Sequence, residues 1–146
     1  MLAFVVAVVL AQGTTHVAVL DVSAPDAVYE DVSRALAEQV SLELLKKGFI
    51  SKRVDESELP VQGCRIGPCL GEVAKSQAAD VLLLLDATEG DKGKIEVSLS
   101  AMRGRDGLPL TVGKWSTTAE GKPNKQLSKF ITAMQKAVAK HLSPPR

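Results

Sequence analysis

The sequence predicts a single α/β domain with a mixed five-stranded sheet, in the order β-α-β-α-β-β-β-α, and with helices packed on it. Three observations carry this. Two short apolar runs, Val17-Ala-Val-Leu20 and Val81-Leu-Leu-Leu-Leu85, are separated by segments of helical periodicity, the pattern of β-α-β units. Beyond Glu89 the period falls to two, and turn-forming residues cluster at Glu89-Gly-Asp-Lys-Gly93 and Arg103-Gly-Arg-Asp-Gly107, the pattern of an antiparallel meander. A length of 146 residues with 45% hydrophobic but only 3% aromatic content suits one core built from Val, Leu, Ile and Ala.

His16 to Val22 reads as a strand buried on both faces. Ser23-Ala-Pro-Asp26 is turn chemistry, with Asp26 able to cap the helix that follows over Ala27 to Lys47. Val28, Val32, Leu36, Val40 and Leu44 form the apolar stripe of that helix, and Lys46-Lys-Gly48 is its stop: two cations for the dipole, then a glycine. Phe49 to Val54 reads as a half-polar strand, placed near a sheet edge by Lys52 and Arg53. A second helix begins near Pro68, with Leu70, Val73, Ala74 and Gln77 inward. Val81 to Leu85 has no alternation, which predicts a central strand covered on both sides. Ile95, Val97, Leu99 and Ala101 alternate with polar residues in the next strand. Leu108 to Thr118 follows as the last strand, with a bulge expected at Gly113. A final helix over Asn124 to Leu142 carries the stripe Leu127, Phe130, Ile131, Met134 and Val138.

Residues Met1 to Ala11 are apolar and uncharged, too short for the roughly 20 residues of a spanning helix. The expected reading is a signal peptide, Met1–Ala11, cut after the small-x-small pair Val9 and Ala11, leaving 12–146 as the domain. A buried first strand is the alternative. No Cys follows the cut, so no lipid anchor is expected there. In an exported chain the close pair Cys64 and Cys69 is expected to be a disulfide. A redox-active pair, with Cys69 activated at a helix N-terminus, and thiol ligation of a metal shared between subunits stay open beside it.

The order of elements resembles an α/β domain of the bacterial envelope, the one shared by the amino-terminal part of TolB and by CsgG-type proteins. The likeness rests on Val17-Ala-Val-Leu-Asp-Val22, the helix segment Leu36-Ala-Glu-Gln-Val-Ser-Leu-Glu-Leu-Leu45, Lys47-Gly-Phe49, Asp55-Glu-Ser-Glu-Leu59, and Gly71 through Leu84. Some such domains carry a Cys pair before the second helix, the place of Gly63-Cys64 and Pro68-Cys69. The resemblance implies a periplasmic or outer-membrane-associated role in assembly, transport or envelope organisation, and not an enzyme. The short meander strands do not supply a pore-forming hairpin.

Other constellations are weaker. A net charge of +1 and the scarcity of aromatics argue against nucleic acid as a partner. There is no Gly-x-Ser-x-Gly elbow and no phosphate-cradling glycine loop, and His16 and His141 lie far apart, so no catalytic residue, metal or cofactor is expected. Asp21, Ser23, Asp26 and Asp86 are expected at strand carboxyl ends, where a crevice could take a cation or a basic peptide; capping and turn formation are the competing use of the same residues. Lys125, Lys129, Lys136 and Lys140 form one helix face, either solvated or in contact with an acidic partner or, peripherally, with lipid. Trp115 is either a partial core residue or an interface anchor. The expected function is a non-enzymatic envelope module that binds an envelope protein, or a second copy of itself, with the second strand as an edge open to strand addition.

Overall fold

The computed structural model describes residues 15–22, 30–54, 68–118 and 125–142. They form β1 (His16–Asp21), α1 (Glu30–Lys46), β2 (Ile50–Val54), α2 (Pro68–Ser76), β3 (Val81–Glu89), β4 (Lys94–Arg103), β5 (Pro109–Thr118) and α3 (Lys125–His141), with one 3-10 turn, Asp91–Gly93, between β3 and β4. The sheet order is β2-β1-β3-β4-β5. β1 runs parallel to both β2 and β3, and β3, β4 and β5 are antiparallel neighbours. This is the expected mixed five-stranded α/β domain, with the apolar runs of β1 and β3 adjacent at its centre and the half-polar β2 at its edge.

Strand parity divides the core into two layers. Val17 and Val19, Leu83 and Leu85, and the alternating Ile95, Val97, Leu99 and Ala101 face one side. There they meet Val32, Leu36, Val40 and Leu44 of α1 and Leu127, Phe130, Ile131, Met134 and Val138 of α3. On the other side Ala18, Leu20, Val54 and Leu82 meet Leu70 and Val73 of α2. Each fully buried aliphatic side chain contributes roughly 1.5–3 kcal/mol relative to exposure. The first layer, by far the larger, therefore dominates stability. Helix α2 covers only the β2-β1-β3 half. Over β4 and β5 that face is polar: Glu96, Ser98 and Ser100 beside Val112, Lys114 and Ser116, with the Ser116 hydroxyl donating to Glu96 Oε1 at 2.8 Å.

The helix ends follow from local chemistry. At the end of α1 the Phe49 N–H donates to the Leu44 carbonyl at 3.0 Å and the Gly48 N–H to the Leu45 carbonyl at 3.1 Å, the paired bonds of a Schellman motif. Gly48 sits at φ 86°, the left-handed region where a glycine has no penalty. At the end of α2 the same pair forms from Ala79 to Ala74 and from Ala78 to Lys75, but the left-handed position is Ala78, at φ 51°.

The structure corrects one feature of the last strand. The register of β4 and β5 shifts between Ala101, opposite Thr111, and Met102, opposite Pro109, so the extra residue is Leu110 and not Gly113. Leu110 thereby joins the helix-covered side. Gly113 has a different role. A Cβ there would stand 2.8 Å from Cδ2 of Phe130, so the missing side chain is what lets the ring of α3 settle on β5.

The β4–β5 turn is tied to the end of α3. Arg103 Nε donates to Asp106 Oδ1 at 2.8 Å, and Nη2 to Oδ2 at 2.5 Å, while Nη1 donates to the His141 carbonyl at 3.1 Å. A guanidinium is favourable at a helix C-terminus, where unsatisfied carbonyls concentrate negative charge. The hydrogen bonds from Arg103, then that from the Leu108 N–H, hold the Asp106 carboxyl down to about 2.

Candidate functional site

Helix α1 carries more leucine than its core stripe needs. Leu36 and Leu44 are buried, but Leu42 and Leu45 lie on the flank of the helix, 58% and 68% exposed. Ile50, the first residue of β2, is 49% exposed. Isolated exposed apolar residues are ordinary on a protein surface, whereas a contiguous group is not. Here the Schellman turn folds the chain back at Gly48, so the last turns of α1 and the start of β2 lie side by side. The result is a groove of about 620 Å³, with Leu42, Leu45, Phe49 and Ile50 at one end and Glu38 and Arg53 at the other. It runs along the free edge of the sheet, since no described strand lies beyond β2. The sequence held the signal for this surface: Leu42 and Leu45 stand off the 3.6-residue stripe, and off-stripe leucines have to face something other than the protein's own core.

The residues singled out from sequence are dispersed. Asp21 and Asp86 both reach the carboxyl end of the sheet, Asp21 opposite Leu85 and Asp86 opposite Ser98. Parity sends them to opposite faces: Asp21 shares the side of Val19, and Asp86 the side of Leu82 and Leu84. Ser23 and Asp26, the other members of the expected crevice, lie outside the described residues, as does Cys64. Cys69 is half-buried in the first turn of α2, against the smaller core layer. Among the described residues no cluster of three or more His, Cys, Asp or Glu could hold a metal ion. Trp115 is opposite Val97 and packs on the larger core, so the indole lies on the helix-covered side and not on the open face. Lys129 and Lys136 are exposed on α3, opposite its buried stripe. His16 begins β1, where its N–H donates to Asp80 Oδ2 at 2.9 Å, and His141 enters the Arg103 clasp through its backbone only.

No family model and no curated protein matches the chain. Solved structures share its fold. Lipoprotein GNA1162 from Neisseria meningitidis superposes with a TM-score of 0.53 at 14% identity, over 86% of this chain and 99% of that one. PelC from Paraburkholderia phytofirmans, solved as a dodecamer, gives 0.53 at 16% identity, over 84% and 89%. The C-terminal domain of LpoB from Escherichia coli gives 0.51 at 14% identity, over 71% and 82%. At these identities the likeness is one of fold. No helix among the described residues is long and apolar enough to cross a membrane.

Proposed function

We propose that this chain is a non-enzymatic binding module of the bacterial cell envelope, exported to the periplasm or the outer-membrane surface, where it acts in assembly, transport or organisation by contacting another protein. The observation that carries the reading is the apolar groove of Leu42, Leu45 and Ile50 beside a sheet edge with no described strand beyond it. Three large aliphatic side chains held in water are a standing cost that a docked surface recovers. The occurrence of this fold in a bacterial lipoprotein and in a twelve-copy assembly supports the envelope setting and the working mode, as does the TolB-like and CsgG-like order of elements. The apolar leader Met1–Ala11 supports export.

Site-specific photocrosslinking in bacterial cells tests it. A photoreactive residue at Leu45 is expected to give a discrete protein adduct in the envelope fraction. The same group at Lys136 probes the basic face of α3. Recovery of the chain in the cytosol, with no adduct from either position, overturns the reading.

A further inference from the structure

Building on the module reading above, we propose that the free edge of β2 accepts an extended segment of a different protein as a sixth strand, and that this segment carries alternating apolar residues and a carboxylate at the end that lies beside Arg53.

The backbone supplies the first part. The Ile50 N–H donates to the Thr15 carbonyl at 3.1 Å, so Ile50 turns its hydrogen-bonding groups toward β1. In a parallel ladder successive residues alternate, which directs Lys52 inward as well and the N–H and C=O of Ser51 and Arg53 outward. Those outward groups form a template for one more strand.

The side chains supply the second part. Ser51 and Arg53 are opposite Val17 and Val19, which belong to the core layer under α1. An added strand therefore has one face turned to the α1 side, and this face runs along Leu45 and Leu42 before reaching Arg53. Its alternate residues should be apolar over the leucines. Cross-strand neighbours stand about 4.5–5.5 Å apart at Cβ, so an acidic residue opposite Arg53 comes into direct contact with the guanidinium.

Charge also decides between a foreign segment and a second copy. β2 carries Lys52 and Arg53 and no acid, and Glu38 of α1 lines the groove at the same end as Arg53, so a two-fold, antiparallel pair of β2 strands carries the second copy's Glu38 to the end away from Arg53 and sets no carboxylate against it. The other edge strand of the described sheet, β5, carries Lys114 and no acid, so continuing the sheet from β2 of one copy to β5 of the next sets no carboxylate of β5 against Arg53.

The test is a random-peptide display selection on the intact chain. The expected consensus has apolar residues at every second position and Asp or Glu at one end. A soluble peptide of that consensus should bind at least about tenfold more tightly than its Glu-to-Lys counterpart, a difference of about 1.4 kcal/mol. Arg53→Glu should reverse that preference. Ser51→Pro should weaken binding by a similar factor, because it removes an outward N–H to which no described strand is paired. The proposal is overturned by any of four results. These are a selection that yields no binder, a consensus with helical spacing, indifference to the charge swap in the wild-type and Arg53→Glu chains alike, and sedimentation showing a dimer that Ser51→Pro dissociates. If one of these occurs while the Leu45 adduct still forms, strand addition alone falls and the module reading stands.

Discussion

Ala78 is, with Lys92, one of two described non-glycine residues in the left-handed region. It occupies the left-handed corner after α2 that Gly48 occupies after α1, yet it carries a Cβ. A non-glycine residue there costs roughly 1–2 kcal/mol, although glycine loses more entropy on folding. Ala78 is exposed, so nothing packs on its methyl group. Ala78→Gly is therefore expected to raise stability by about 1 kcal/mol in urea titration. A second residue-level effect belongs to Asp106. Its carboxyl is held at about 2, below the ordinary 3.8, so the pairing with Arg103 favours the folded state fully above that ordinary value. The contribution is lost as pH falls through about 2, where the folded-state carboxyl takes up its proton. Asp106→Asn should thus lower the urea midpoint at neutral pH, and the gap to the wild type should shrink between about 4 and 2 and close below that.

At the scale of elements, α3 is seated on β5 through a single missing side chain. Gly113→Ala places a methyl group 2.8 Å from the Phe130 ring, and the helix has to lift or the ring has to leave its rotamer. Overpacking of this kind costs about 1–3 kcal/mol. Thermal unfolding of the variant should show it, and the near-ultraviolet signal of the neighbouring Trp115 should change. The elements themselves were largely legible because their signals are local. The stripe Val32-Leu36-Val40-Leu44 is buried as its spacing requires, the unbroken run Val81–Leu85 is central, and the cations of β2 mark an edge. The bulge was not legible. A glycine in a strand is a fair marker of one, but here the glycine answers to a ring contributed by a helix ahead of it in the chain, and the displaced residue, Leu110, carries no local mark. The groove lay between these cases. Leu42 and Leu45 are visible in the sequence as surplus apolar residues, but only the turn at Gly48 brings them beside Ile50.

For the molecule as a whole, the setting determines the chemistry expected of its cysteines. If the chain is exported, titration of the denatured, unreduced protein should find no free thiol. Cys64→Ser should then cost roughly 2 kcal/mol, the loop-closure value for so short a ring. Two titratable thiols in the purified exported protein would reverse this and favour the redox reading. Long-range placement, too, carries no local mark in the sequence. Asp21 and Asp86 do share one end of the sheet, but which face each joins depends on the register between β1, β3 and β4, and that register sends them apart.

The sheet order has a temporal side too. The first described strand, β1, lies second from one edge and fourth from the other, flanked by segments that come 34 and 65 residues later, from His16 to Ile50 and from His16 to Val81. The meander, by contrast, closes between immediate neighbours. Contacts of short separation form early, and distant ones wait on chain closure. Val17–Leu20 therefore stays unsheltered longest although it is made first. A chain emerging amino end first has this apolar strand on display until the strand at Val81 arrives, and a holding chaperone would find its handle there.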